Sequence, residues 1–178
     1  MTGNTAPDGA AFCMTQRWQD DEETETDVAV VVMQNVLLVD NVASDDAAAF
    51  DVAFGTLTVR NATVVGSRSG TLDVEDGSIT INNTIFAHGG GPFAQLGSGG
   101  SITLRNSLFS DQRGGWGEIA RPIGSNGNIA GDPAFVDAAA GDYSLGATSD
   151  AIDAGDPMID DADGTRSDIG KTGGPFGW

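Results

Sequence analysis

The sequence predicts an all-β fold in which the chain winds through solenoid coils of about 22 residues, with three strands per coil. The first observation is a repeat, because GTLTVRNATVVGS, GSITINNTIFAHG and GSITLRNSLFSDQ share one pattern between residues 55 and 112. The second is its period, since asparagines separated by 26, 22, 23 and 22 residues occur at Asn35, Asn61, Asn83, Asn106 and Asn128. The third is a regular alternation of apolar and polar side chains before each asparagine. Such a period is too short for a propeller blade or a pair of helices.

The alternation predicts which side of the strand faces the core. Thr58, Thr80 and Thr103 lie three residues before an asparagine, and the residues on either side of each threonine are apolar. Side chains of a strand point alternately to its two faces, so the threonines are predicted to point outward. The predicted inward positions are Val31, Met33, Leu57, Val59, Ile79, Ile81, Ile102 and Leu104.

Each asparagine is predicted to turn the chain out of this strand. Asparagine tolerates left-handed backbone angles, and its amide is able to bond to the same amide on the next coil. A stack of asparagines would then both turn the chain and join the coils. An extra residue in the coil before Asn106 is placed at residues 97–100 as a bulge. The step from Asn35 to Asn61 is longer, at 26 residues, and its additional residues are placed at 43–49 as a surface loop.

Composition narrows the classes of partner. The formal charge is -18, with 26 acidic residues and eight basic ones, so nucleic acid and anionic membranes are unfavourable partners. No apolar run is long enough to span a membrane. The 26 glycines and many aspartates are typical of turns, so little helix is expected. The single cysteine, Cys13, has no partner for an internal disulfide and is expected to have no special role.

Three regions follow from this pattern. Residues 1–27 form a polar, acidic N-terminal segment, interpreted as a remnant of an upstream coil, with the run DDEETETD at residues 20–27 as a loop or linker. Residues 28–131 form the coils. Residues 132–178 form an irregular, Asp- and Gly-rich C-terminal cap, because the last coil of a solenoid needs its apolar end covered. The N-terminus lacks a basic start and an apolar stretch, so the chain is expected to be part of a longer protein.

The C-terminal region is similar to a known signature. GDPAFVDAAAGDYSLGATSDAIDAG followed by DADGTRSDIGKTGGP resembles the C-terminal segment of bacterial right-handed parallel β-helix proteins, the pectate-lyase-like superfamily, of the choice-of-anchor Q type. The resemblance covers roughly residues 126–178. This chain departs from the family at Asp150, where proline is usual, and at Lys171 and Thr172, where Ala-Tyr is usual. The resemblance implies a right-handed β-helix, closed at its end from about Asp132.

The same resemblance implies a location outside the cell or at its surface, reached through an export signal that is not present in this chain. The superfamily contains polysaccharide lyases and hydrolases as well as surface proteins without known activity. We therefore expect a carbohydrate-binding or adhesive scaffold whose partner is an extracellular polysaccharide or a cell-surface glycan. The alternative is a polysaccharide lyase or glycoside hydrolase fragment.

The candidate ligand-binding residues are a grid of hydroxyls and the tryptophans. Thr58, Thr80 and Thr103 are expected to form a flat array that matches a regular lattice, although threonine is also simply a good strand residue. A second column is expected at Thr56, Ser78 and Ser101. Trp116 and Trp178 are candidates for stacking on sugar rings, and the alternative for both is local packing.

No catalytic set stands out. Arg60 and Arg105 are expected two coils apart, and the outward carboxylates Asp51, Asp73 and Asp111 show no acid–base asymmetry. His88 has no sequence neighbour that would orient it as a general base. The chain is therefore expected not to be an enzyme.

Calcium is the one cofactor that the sequence predicts. Six aspartates occur within sixteen residues near the C-terminus, and Asp161, Asp163 and Gly164 resemble the start of a calcium loop, with Asp168 as a further ligand. The twelfth position, where such a loop has glutamate, is Thr172. The alternative is an aspartate-rich loop whose side chains bond to their own turns, with Arg166 neutralising part of the charge.

Overall fold

The computed structural model describes residues 1–7, 9, 11–15, 29–45 and 47–178. In these residues the chain has almost no helix, and its strands form a parallel β-solenoid of about four turns, about 23 residues apart. The predicted fold class is therefore confirmed. The strands are β1 (Thr5–Ala6), β2 (Phe12–Met14), β3 (Val30–Gln34), β4 (Leu37–Val39), β5 (Val42–Ala43), β6 (Phe50–Val52), β7 (Thr56–Arg60), β8 (Thr63–Val65), β9 (Leu72–Val74), β10 (Ser78–Asn82), β11 (Ile85–Ala87), β12 (Ala94–Leu96), β13 (Ser101–Arg105), β14 (Leu108–Ser110), β15 (Ile129–Ala130), β16 (Phe135–Asp137) and β17 (Asp142–Leu145). A 3-10 turn at Ala138–Ala140 joins the last two.

Strands β3, β7, β10 and β13 form the first sheet, called here the ladder sheet because the asparagine column follows it. The strands pair in parallel and in register, so Val31, Leu57, Ile79 and Ile102 occupy one column. Leu57 and Ile79 are at most 1% exposed and belong to the main core. The predicted alternation of side chains thus becomes an inner and an outer face of the sheet.

Strands β4, β8, β11, β14 and β15 form the second sheet, called here the covered sheet because both of its faces are buried. The middle residues of three strands, Val64, Phe86 and Phe109, enter the main core. Ile85 and Leu108, which point the other way, belong to a separate apolar cluster on the outer face. A parallel sheet that is buried on both sides is typically apolar at consecutive positions, as these strands are.

Strands β2, β6, β9 and β12 form the third sheet and complete the coil. Val74 pairs with Leu96, which follows it by 22 residues, whereas Ser78 pairs with Ser101, which follows it by 23. One additional residue therefore lies between Leu96 and Ser101. The predicted extra residue at 97–100 is confirmed by this change.

The N-terminal residues continue the coil pattern. Strand β1 pairs with β5, β2 pairs with β6, and Thr2 forms a bridge with Val39. Thr2, β1 and β2 thus contribute part of a further coil at the start of the stack. The acidic run at residues 20–27 lies outside the described residues.

The prediction of a surface loop at residues 43–49 is wrong for the alanines of this segment. Ala43, Ala47, Ala48 and Ala49 are at most 2% exposed, whereas Ser44 and Asp45 are exposed as predicted. The Ala48 amide also donates to the Gly70 carbonyl on the next coil at 3.0 Å. Alanine side chains are small enough to pack in the interior here, so the alanines join the core instead of a surface loop.

Asparagine forms the first corner of four successive coils, as predicted. The corner residues have left-handed φ angles of 50°, 51°, 53° and 45°, at Asn35, Asn61, Asn83 and Asn106 respectively. An amide side chain tolerates this conformation better than most residues do.

The fifth corner differs from the prediction. Ile129 pairs with Leu108, so Gly127, with φ of +75°, occupies the position that was assigned to Asn128. Asn128 is instead buried, and its amide donates to the Leu104 carbonyl at 2.9 Å. The register shifts by one residue because the segment before it, residues 111–128, is an irregular connection with no regular strand.

Residues 149–178, called here the tail, lie along the side of the stack. Ala151 and Ile169 of the tail are fully buried in the apolar cluster on the outer face of the covered sheet. The hairpin of β16 and β17 adds Phe135, Tyr143 and Leu145 to the same cluster. The segment after Asp132 contacts several coils along the side of the stack.

The end of the main core is closed by residues that precede this segment. The Trp116 ring packs edge-on against Phe93 and Phe109, with centroids 5.7 and 5.3 Å apart. Ile119 and Ile123 pack against the same core. Aromatic side chains bury large apolar areas, so a few of them suffice to cover the last coil.

The corner amides bond to the tail, and the prediction that they bond to one another is wrong. Asn61 and Asn83 both donate to the Ser167 hydroxyl oxygen, at 3.3 and 3.1 Å. The Asp156 amide donates back to Asn83 at 2.7 Å. Asn35 donates to two tail carbonyls, those of Lys171 and Gly173, both at 2.9 Å.

Asn106 differs from the other three corner residues. Its amide donates to the Asn82 side chain at 2.9 Å, on the preceding coil. The tail therefore binds the corners at Asn35, Asn61 and Asn83 through polar contacts, while its apolar residues cover the adjacent sheet. Through these contacts it joins three successive coils.

Candidate ligand-binding face

The outer side of the ladder sheet, called here the hydroxyl face, carries the threonines predicted to bind ligand. Thr58, Thr80 and Thr103 lie side by side on successive coils because β7, β10 and β13 are in register. Paired strands are about 4.8 Å apart, and outward residues of one strand are about 6.6 Å apart, so the hydroxyls form a two-dimensional array. The structure thus brings these three predicted residues together.

The second predicted column lies beside the first. Thr56, Ser78 and Ser101 are also in register on the same three strands. The Ser78 hydroxyl donates to the Thr56 hydroxyl oxygen at 3.1 Å. This contact orients hydroxyls of neighbouring coils relative to each other, so the array is ordered before any ligand binds.

The outward residues of the strands that form the hydroxyl face include no carboxylate, although the chain has 26 acidic residues. Their remaining column consists of Gln34, Arg60, Asn82 and Arg105, and Asn82 separates the two arginines as predicted. One carboxylate of the tail borders the face, because Asp156 accepts from the Asn82 side chain at 2.9 Å. The strand residues themselves are neutral or positive in a chain whose net charge is -18, so neutral and anionic groups meet less repulsion over the threonine columns than elsewhere on the molecule.

Trp116 lies apart from this face. Its ring is half-buried in the segment that closes the core, where it contacts Phe93 and Phe109. Packing, the alternative that the sequence left open, accounts for these contacts. Trp178, by contrast, is 66% exposed at the Asn35 corner.

The aspartates predicted to bind calcium accept hydrogen bonds within the tail. Asp161 accepts from the backbone amides of Asp168 and Gly174. Asp163 accepts from the amide and hydroxyl of Thr165, at 2.9 and 2.8 Å. Asp168 accepts from the Asp153 amide at 2.9 Å. These bonds join the aspartates to the backbone of the tail.

The same carboxylates line an open pocket of about 300 Å³. Burial raises the pKa of Asp168, and the charges of Asp161, Asp153 and Asp163 raise it further. Hydrogen bonds from Thr165 lower the pKa of Asp163. Among the described residues, no group of three or more His, Cys, Asp or Glu side chains is placed to hold a metal ion. Calcium binding therefore stays a prediction.

Two of the outward carboxylates, Asp51 and Asp73, lie side by side on successive coils of the third sheet. Asp51 is 5% exposed and accepts from the Cys13 thiol at 2.9 Å. Gln95 donates to Asp73 at 3.2 Å. Both carboxylates are thus held by side chains of neighbouring coils, and Cys13 has a hydrogen-bonding role that its sequence surroundings do not suggest.

The interpretation of His88 as a residue without an orienting partner is wrong. Asp111 lies on the next coil, with a carboxylate oxygen 3.3 Å from Nδ1 of His88. Arg113 holds the same carboxylate through Nε, at 3.2 and 3.0 Å, and through Nη2, at 2.6 Å. The hydrogen bonds from Arg113 and His88 lower the pKa of Asp111.

His88 and Asp111 occupy the same corner on successive coils, and both have left-handed φ angles, of 57° and 50°. They are 23 residues apart in the sequence, so a search among sequence neighbours misses the pair. The coil period itself is the signal that would have found it. The His88 side chain is 53% exposed, which leaves Nε2 accessible to a ligand.

In the part of the chain that the structure describes, no helix has the length and apolar character needed to cross a membrane. Comparisons with protein-family models, with curated proteins and with solved structures find no match. A function for this chain therefore rests on its own geometry.

Proposed function

We propose that this chain is a secreted or cell-surface β-solenoid module that binds an extracellular carbohydrate through its hydroxyl face and acts as an adhesive scaffold. The observation that carries the proposal is the in-register array of hydroxyls centred on Thr58, Thr80 and Thr103, on strands whose outward residues include no carboxylate. The resemblance of the C-terminal region to β-helix surface proteins supports the location.

The array suits a polymer with regularly spaced hydroxyls. Each threonine offers a hydroxyl that donates and accepts, together with a methyl group for the apolar parts of a sugar ring. The spacing between coils repeats, so successive sugars are able to make equivalent contacts. The strands of the face pair with one another and pack on the core through their inner side chains. A face held in this way is rigid, so it loses little conformational freedom on binding.

Placing charge on this face tests the proposal. We expect the double substitution Thr80→Glu and Thr103→Glu to weaken binding to an immobilised polysaccharide by at least about ten-fold, because buried carboxylates without partners are costly at an interface. Binding would be measured on a glycan array and by sedimentation with insoluble polysaccharides. The matched control is Thr148→Glu, the same change at an exposed turn between β17 and the tail. Equal binding by the double variant and wild type, with unchanged melting temperatures, would exclude the hydroxyl face as the site.

A second candidate function is a polysaccharide lyase or glycoside hydrolase, and the arrangement of Arg113, Asp111 and His88 favours it. Arg113 fixes Asp111, and Asp111 fixes the Nδ1 side of His88. When Nδ1 of His88 carries the proton and donates a hydrogen bond to Asp111, Nε2 carries the lone pair. Nε2 is then able to take a proton from a bound substrate. Such an oriented imidazole is the kind of base that an elimination or a hydrolysis requires.

If this alternative holds, wild type releases unsaturated or reducing ends from uronate polymers or neutral polysaccharides. We then expect His88→Gln to lower the rate by about 100-fold or more, since general bases contribute roughly 100- to 10,000-fold. The control is Arg68→Gln, which also places glutamine at an exposed position, beside the corner residue Asp40. Product formation at an unchanged rate in His88→Gln would rule out this base, and wild type without product would leave the scaffold function.

A further inference from the structure

Trp178 is held in a fixed orientation although much of it is exposed. Its indole N–H donates to the Asn35 carbonyl at 3.0 Å. The Lys171 ammonium lies 4.2 Å from the ring centroid on one face, and it also donates to the Trp178 carbonyl at 3.0 Å. Lys171 itself is only 5% exposed, so its contact with the ring is sheltered from solvent. Two contacts therefore fix the ring and a third holds the Trp178 backbone, while the residue remains 66% exposed.

The Trp178 ring lies at one end of a strand of the hydroxyl face. Asn35 follows β3 directly, and β3 is the first strand of the ladder sheet. The outward residues Val30 and Val32 of β3 are 70% and 60% exposed and continue the columns of Thr56 and Thr58. The first strand of the face thus carries exposed apolar side chains and leads to the corner where Trp178 is anchored.

We infer that Trp178 is a stacking platform for a pyranose ring at the Asn35 corner, as an aromatic subsite of the carbohydrate site proposed above, on which this inference rests. The apolar C–H face of a pyranose packs on an open aromatic face, and a ring that is already oriented loses little freedom on contact. Lys171 lies on the opposite face of the ring and is buried, so its charge does not contact a ligand on the open face. The open face therefore binds a sugar through its C–H groups, and we expect the sugar to be a neutral pyranoside.

The ring orientation differs from what packing alone would produce. Trp116 contacts aromatic neighbours in the core, whereas the contacts of Trp178 are to a carbonyl and to a lysine. Cation–π contacts favour a ring that presents one face to the cation. The same geometry leaves the other face free for a ligand.

The experiment titrates wild type and variants with cellohexaose, mannohexaose and chitohexaose, and follows both binding heat and indole fluorescence. Trp178→Ala is expected to weaken binding of the oligosaccharide that wild type binds by about ten-fold. Trp178→Phe is expected to keep most of the binding, since it retains an aromatic ring, but to lose the fluorescence change that accompanies titration. Met158→Ala, at an 89% exposed apolar residue of the same tail, is expected to bind as wild type does.

The outcomes separate this inference from the proposed function. If Thr80→Glu with Thr103→Glu abolishes binding while Trp178→Ala binds normally, the platform is refuted and the hydroxyl face stands. The reverse pattern refutes the hydroxyl face and supports the platform. Wild type that binds none of the polysaccharides or oligosaccharides refutes both. If Trp178→Ala also lowers the melting temperature, its weaker binding does not test the platform, and Trp178→Phe is used instead. A fluorescence change in Trp178→Phe equal to that of wild type would show that the signal comes from another tryptophan, and it would refute the platform.

Discussion

Replacement of Asn83 by alanine is expected to lower the free energy of unfolding by about 2–5 kcal/mol. The side chain is fully buried, donates to the Ser167 hydroxyl and accepts from the Asp156 amide, at 3.1 and 2.7 Å. Leaving a buried donor or acceptor without its partner costs about 1–3 kcal/mol. Alanine in a left-handed conformation, which position 83 requires with φ of 53°, adds roughly 1–2 kcal/mol. Urea denaturation of wild type and variant measures the difference.

Glycine at the same position separates the two contributions. Asn83→Gly removes the same hydrogen bonds but tolerates the left-handed backbone, so we expect it to cost about 1–2 kcal/mol less than alanine does. Asn106→Gly is the matched control, because Asn106 also turns the chain but bonds to Asn82 and not to the tail. We expect that control to cost about 1 kcal/mol. Should Asn83→Gly be as stable as wild type, the corner amides do not hold the tail.

Replacement of Ile169 by alanine is expected to destabilise the protein by about 2–4 kcal/mol and to release the tail before the solenoid unfolds. Ile169 is fully buried in the cluster between the tail and the covered sheet, which also contains Ile85 and Leu108. Truncation of a buried isoleucine loses its transfer free energy and leaves a cavity. Denaturation measures the loss, and limited proteolysis detects earlier cleavage within the tail.

Ile152→Ala is the control for this substitution. Ile152 lies on the same tail but is 39% exposed, so truncation is expected to cost at most about 0.5 kcal/mol. A variant of Ile169 as stable as this control, with wild-type proteolysis, would contradict the role of the tail as a cover for the sheet.

Several features of this protein are visible in the sequence because their causes are local. The coil period follows from the spacing of the asparagines, and the inward column of Leu57 and Ile79 follows from alternation along a strand. The corner conformation follows from the tolerance of asparagine for left-handed angles. The threonine array of the candidate site is a consequence of the same register, so it too was predictable.

Other features depend on which segments meet in three dimensions. The partner of Asn61 is Ser167, 106 residues away, and no local pattern indicates that the tail turns back along the stack. The place of Gly127 depends on the length of an irregular connection, which periodicity does not constrain.

The same distinction applies to the candidate sites. His88 meets Asp111, and Trp178 meets Asn35, only because the coils stack and the tail crosses them. The sequence by itself therefore determined the coil, its inner and outer faces and its corners, since these arise from the preferences of single residues and from strand alternation. The tertiary structure alone decided the partners of the corner amides, the orientation of His88 and the exposure of Trp178, because those are contacts between residues that only folding brings together.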